Sequence, residues 1–166
     1  MAEELVITAK DKAGIYAQIL PQMEAVVSAE TDMIANMANV SAILKEAFGF
    51  WWVGFYIVRG RVDSGQELVL GPFQGPLACT RIKKGRGVCG TAWVEKSTVI
   101  VPDVEQFPGH IACSSLSRSE IVVPIFDESG DVMAVLDIDS EHLSTFDVVD
   151  KEWLEKMLCK INFGNK

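Results

Sequence analysis

The sequence predicts an α+β fold, a central antiparallel sheet covered by N- and C-terminal helices. Three observations predict it. Apolar residues recur at helical spacing near both ends, hairpin signals fill the middle, and strands do not alternate with helices as a doubly wound parallel sheet requires. A chain of 166 residues is of a length for one hydrophobic core, and no repeat or linker divides it. One domain over residues 1–166 is therefore expected, with helices at about 8–48, the sheet and its loops at about 50–140, and a last helix at about 147–160.

The elements follow in order. From Thr8 to Ser28, Ile15, Ile19, Met23 and Val26 keep helical spacing, with Pro21 as an expected kink or break. From Asp32 to Phe48, the series Ile34, Met37, Val40, Ile43, Leu44 and Phe48 repeats that spacing; Thr31 is the expected cap and Gly49 the expected stop. The period then changes to two. Trp51 to Arg59 is β-rich, Asp63-Ser64-Gly65 is a turn, and Glu67 to Leu70 is the returning strand. Further strands are expected at Ala78 to Ile82, Thr98 to Val101, Glu120 to Phe126 and Val132 to Asp139, the last two joined by the turn Asp127-Glu128-Ser129-Gly130. Helices are expected at Gly87 to Glu95 and Asp147 to Cys159.

Composition narrows the function. With 49% hydrophobic and 23% charged residues the chain can fill a core. A net charge of −8 repels phosphate backbones and anionic membranes, and Lys83, Lys84 and Arg86, the densest cationic stretch, are expected to solvate a loop. The start Met1-Ala2-Glu3-Glu4 lacks a secretory signal and no apolar run can cross a bilayer, so the cytosol is the expected address. The four cysteines should then be reduced there, and their interest chemical.

Strand alternation sorts the candidate residues by face. Trp51, Val53, Phe55 and Ile57 make a core face, while Trp52 and Tyr56 flank Gly54 on the other, where the glycine is expected to leave room for a ligand. With Val132, Ala134, Leu136 and Ile138 on the core, Asp137 and Asp139 share the opposite face. Glu120, across the hairpin from Asp139, turns the same way. Such a cluster could hold an ammonium group or Ca²⁺, or supply a general acid; solvated strand-end charge is the plainer alternative.

Cys79, Cys89, Cys113 and Cys159 form no close metal-type pair, so neither a metal nor another cofactor is expected. Cys113 follows Pro108 in Gly109-His110-Ile111-Ala112-Cys113-Ser114-Ser115, a loop-like stretch, whereas Cys159 beside Leu158 and Ile161 is assigned to packing. Gly85-Arg86-Gly87-Val88-Cys89-Gly90 matches a dinucleotide fingerprint only in its glycines, since no βαβ unit or suitably spaced acid accompanies it. Ser114, His110 and Asp137 lack the nucleophile elbow of a hydrolase.

Taken together, Trp52-Val53-Gly54-Phe55-Tyr56, Leu70-Gly71-Pro72-Phe73-Gln74-Gly75-Pro76, Ala78-Cys79, Gly87-Val88-Cys89-Gly90-Thr91-Ala92-Trp93, Phe107-Pro108-Gly109-His110-Ile111-Ala112-Cys113, Ser119-Glu120-Ile121-Val122-Val123-Pro124 and Leu136-Asp137-Ile138-Asp139-Ser140 resemble the free methionine-R-sulfoxide reductases, stand-alone GAF domains. The resemblance spans most of the chain from Trp51 to Ser140 and departs at Ser114, where an acid is expected. It implies a GAF-like fold and thiol-dependent reduction of free methionine-R-sulfoxide. Cys113 would attack and become a sulfenic acid, Glu120 would give the proton, Cys79 would close a disulfide, and Cys89 would be a second resolving thiol. Asp137 and Asp139 would hold the substrate's ammonium and Trp52 and Tyr56 would form an aromatic wall. Thioredoxin is the implied reductant and a homodimer through the helices the implied assembly. The competing expectation is a GAF module that senses a small ligand or redox state without catalysis.

Overall fold

The computed structural model describes residues 4–110 and 115–163. Helix α1 (Lys12–Val27) starts where the Asp11 carboxylate accepts the Gly14 N–H. Pro21 lies inside it without ending it, because Tyr16 and Ile19 before the proline and Met23 and Val27 after it are all buried. Helix α2 (Met33–Phe48) is capped by Asp32, which accepts from Ala35 N–H at 2.9 Å, and not by Thr31. Gly49 ends α2 in the left-handed conformation, as its sequence position predicts. Ile34, the first of the helically spaced apolar series, stands 45% exposed at the helix start.

Strands β1 (Trp52–Arg61), β2 (Gly65–Gln74), β3 (Arg81–Lys83), β4 (Val99–Val101), β5 (Ser119–Phe126) and β6 (Val132–Ser140) form one sheet in the order β3-β2-β1-β6-β5-β4, every neighbour antiparallel. Helix α3 (Gly87–Glu95) joins β3 to β4, a 3₁₀ turn at Val104–Gln106 follows β4, and α4 (Val148–Leu158) ends the fold. This is the α+β architecture the sequence predicts.

Strand β2 runs past its expected end at Leu70 because the ladder slips there. Gly54 pairs with Phe73 and Tyr56 with Leu70, so Gly71 and Pro72 bulge opposite Phe55. Strand β3 covers β2 only from Glu67 to Val69, which leaves Pro72 on an open edge where its missing N–H interrupts no second ladder.

Two apolar layers sandwich the sheet. Val53, Phe55, Ile57, Ile121, Val123, Ile125, Ala134, Leu136 and Ile138 pack against α1, α2 and α4. Trp52, Tyr56, Val122 and Val135 face the other way, toward Val88, Ala92 and Trp93 of α3. Val132 belongs to this second layer and not the first, because the β5–β6 ladder shifts between Ile125 and Phe126. Trp51 also packs on the second layer; it precedes β1 and escapes strand alternation. No helix among the described residues is long and apolar enough to cross a membrane.

Candidate active site

The second face of the sheet carries the polar residues. Strand register lines them up: Trp52 is opposite Asp139, Gly54 opposite Asp137, and Asp139 in turn opposite Glu120. Alternation within β5 and β6 thus puts Glu120, Asp137 and Asp139 on one face, near the paired ends of the two strands but largely buried there and not solvated. Glu120 is 6% and Asp137 7% exposed. Cys89, in the first turn of α3, completes the group, with one ligating atom each of Cys89, Glu120 and Asp137 within 4.8 Å of the others.

Burying acids together makes their charge unfavourable. Desolvation, and then the charges of Asp137 and Asp139, push the Glu120 carboxyl well above the ordinary range. Asp137 is raised by burial and by Asp139, with Glu120 and Cys89 offsetting part of the rise as hydrogen-bond donors. Neither reaches Asp137 Oδ1, which is buried without a hydrogen-bond partner among the described residues. Asp139 titrates at about 6, raised by desolvation against the 2.6 Å hydrogen bond that Ser117 Oγ donates to its Oδ1. Burial and the three carboxylates push the Cys89 thiol up as well, so the proton stays on sulfur. His110 Nε2 lies 3.7 Å from Glu120 Oε2, and burial lowers the imidazole, which keeps it neutral.

The aromatic wall is built differently from the sequence expectation. Gly54 leaves no gap: a Cβ there would lie 2.3 Å from Phe73 Cβ and 2.8 Å from Trp52 Cη2. The missing side chain lets β2 press Phe73 onto Trp52, ring centroids 5.3 Å apart, while Trp52 and Tyr56 stack at 6.0 Å. Both rings also hold the segment after β2. Trp52 Nε1 donates to Pro76 O at 3.1 Å and Tyr56 Oη to Cys79 O at 2.9 Å, so the wall fixes the backbone that carries Cys79.

Around these groups lies a cleft of about 590 Å³, part of it open to solvent. Trp51, Leu77, Arg86, His110 and Ser117 also line it. Sequence reasoning missed them as cleft residues, and for Ser117 and Leu77 no periodic pattern could have found them: the loops bring them in. Arg86 and His110 stood inside recognised motifs, but only the fold shows that they face the cleft. Cys79 is disulfide-bonded, whereas Cys89 and Cys159 carry free thiols. Cys159 is exposed at the end of α4 and not packed, a correction to the expectation from its apolar neighbours. Cys113 lies outside the described residues.

Residues 35–158 match the GAF domain family. The chain is 57% identical over 158 residues to GAF domain-containing protein A of Dictyostelium discoideum, covering 95% of this chain and 97% of the relative. It is 42% identical over 157 residues to the free methionine-R-sulfoxide reductase of Saccharomyces cerevisiae, covering 92% and 86%. The structure superposes with a TM-score of 0.91 on the free methionine-R-sulfoxide reductase of Neisseria meningitidis in complex with its substrate, 57% identical, covering 96% of this chain and 93% of that one.

Proposed function

This chain belongs to the GAF-domain family of free methionine-R-sulfoxide reductases, and from that premise we propose that it reduces free methionine-R-sulfoxide to methionine, with Cys113 as the attacking sulfur. The observation that carries the reading is Asp137 Oδ1, a buried acceptor without a partner among the described residues, in a cleft walled by Trp52 and Tyr56, the latter holding the Cys79 backbone. A zwitterionic amino acid brings the cation that such an acceptor lacks. Asp137 and Asp139 take the substrate's ammonium, and the charge neutralises a cluster that is otherwise self-repelling. Trp52 packs on the S-methyl group.

In the first step the Cys113 thiolate adds to the sulfoxide sulfur while Glu120, raised by burial and by the charges of Asp137 and Asp139, gives its proton to the sulfoxide oxygen. Net transfer of that oxygen releases methionine and leaves Cys113 as a sulfenic acid. The Cys79 thiol then attacks Cys113 sulfur; an S–S bond forms and the oxygen departs as water. A dithiol of the thioredoxin type reduces the disulfide by exchange and is itself oxidised. Cys79 is the first resolving thiol. Its engagement in a disulfide supports this, as do the free thiols of Cys89 and Cys159. Cys89, held as a buried thiol, stands second. The cytosol, where thioredoxin keeps thiols reduced, is the fitting address. Two copies pair through α1 and α2, where Val26 and Ile34 stand exposed.

The deciding experiment is methionine release from the R and S epimers of free methionine sulfoxide, with thioredoxin recycling and a Cys113→Ser control. Release from the R epimer alone, lost in the variant, is expected. No release from either epimer by folded, reduced protein would overturn the reading in favour of a sensor module.

A further inference from the structure

The sequence offers no metal-type spacing, yet folding brings Cys89 from α3, Glu120 from β5 and Asp137 from β6 to one point. All three are buried and line the cleft, and Asp137 Oδ1 has no hydrogen-bond partner there. Three atoms no more than 4.8 Å apart share a centre about 2.8 Å or less from each, so ligation at zinc's ~2.0–2.3 Å asks for closure of well under an ångström. One sulfur with two carboxylates is a donor set for a borderline-soft dication and a poor one for Mg²⁺ or Ca²⁺, which want oxygen throughout.

We propose that this cluster is a Zn²⁺ site in which Cys89 Sγ, Glu120 and Asp137 are the ligands and a solvent molecule takes the fourth position. Binding forms one Zn–S and two Zn–O bonds; the Cys89 proton, and any proton on Glu120, pass to solvent, and no electron moves. His110 Nε2, 3.7 Å from Glu120 Oε2, stands where it can orient that carboxylate. The metal occupies the place assigned above to the substrate's ammonium, so Zn²⁺ and methionine-R-sulfoxide exclude each other. That exclusion rests on the reductase reading; the binding itself does not.

The test uses oxidised protein carrying Cys159→Ser, so that Cys89 is the thiol left free among the described residues. Calorimetry should find one Zn²⁺ per chain, with an enthalpy that changes between buffers as the released proton is taken up. Co²⁺ should give a thiolate-to-cobalt charge-transfer band, and Mg²⁺ should displace neither metal. Cys89→Ser should abolish the band and weaken Zn²⁺ about tenfold or more, and Asp137→Asn should weaken it comparably. No uptake by the folded protein, or uptake that neither variant weakens, would overturn the site. Added methionine-R-sulfoxide should displace the metal, whereas Zn²⁺ that stays bound would overturn the shared placement. None of these measurements needs turnover, so a failed metal site leaves the methionine-release result standing.

Discussion

Glu120 and Asp139 face each other across one register step, yet their surroundings set them different tasks. Glu120 is buried beside two further acids and keeps its proton. Glu120→Gln preserves shape and removes the transferable proton, so kcat for methionine release should fall by about 100-fold or more with KM little changed. A rate equal to the parent's would remove Glu120 from the acid role. For Asp139 the consequence is stability. Its carboxyl moves from an ordinary 3.8 to about 6 on folding, so the folded chain holds the proton more tightly than the unfolded one. The stability this contributes is complete below about pH 4 and lost as pH rises through 6. Asp139→Asn escapes that loss. Without substrate it should unfold at higher temperature than the parent at pH 7, by the equivalent of about 1 kcal/mol after allowance for partial exposure and the weakened Ser117 contact, and nearly together with it at pH 4. Equal midpoints at both pH values would show that Asp139 carries no buried charge.

At the scale of the element, the bulge in β2 ties Gly54, Phe73 and Trp52 into one contact. Gly54→Ala places a methyl against Phe73 Cβ and Trp52 Cη2, and should destabilise by about 1–3 kcal/mol in urea unfolding and weaken substrate binding through the displaced ring. An unchanged unfolding midpoint would mean that β2 yields freely. The same element shows what was legible. Period-two patterning identified β1, β5 and β6 and put both aspartates and Glu120 on one face, because alternation needs only neighbouring residues. It could not show that Gly71-Pro72 would bulge, since that is settled by how β1 and β2 pair. Expecting space at Gly54 therefore failed: the partner strand fills it. Caps at Asp11 and Asp32 compete with neighbouring polar residues for the same N–H groups, which is why Thr31 was the wrong choice. The cleft residue Ser117 was invisible for a different reason: its non-periodic segment carries no pattern to read, whereas His110 stood in a recognised motif without any sign that it faces the cleft.

Across the whole molecule, β1 and β6 lie at the centre of the sheet with an apolar layer on each face, while β3 and β4 are three-residue edges. Amide hydrogens of β1 and β6 should therefore exchange only through global unfolding, and those of β3 and β4 through smaller openings at least about tenfold faster. Equal protection of edge and centre would contradict a sheet stabilised from its middle. Asp150 fastens the helical layer at a single point: Tyr16 donates to it at 2.9 Å, Lys12 at 2.5 Å and the Asp147 N–H at 2.8 Å, joining α1 to α4 through a buried carboxylate.

That helical layer and the face bearing Glu120, Asp137 and Asp139 share a sheet but not their side chains, because every strand residue belongs to one side alone. Mutation can thus explore the two sides as nearly separate inheritances. Lineages can exchange acids, thiols and aromatic rings on one surface for new specificities while the opposite surface keeps the chain folded, and drift on the helical side leaves the chemistry intact.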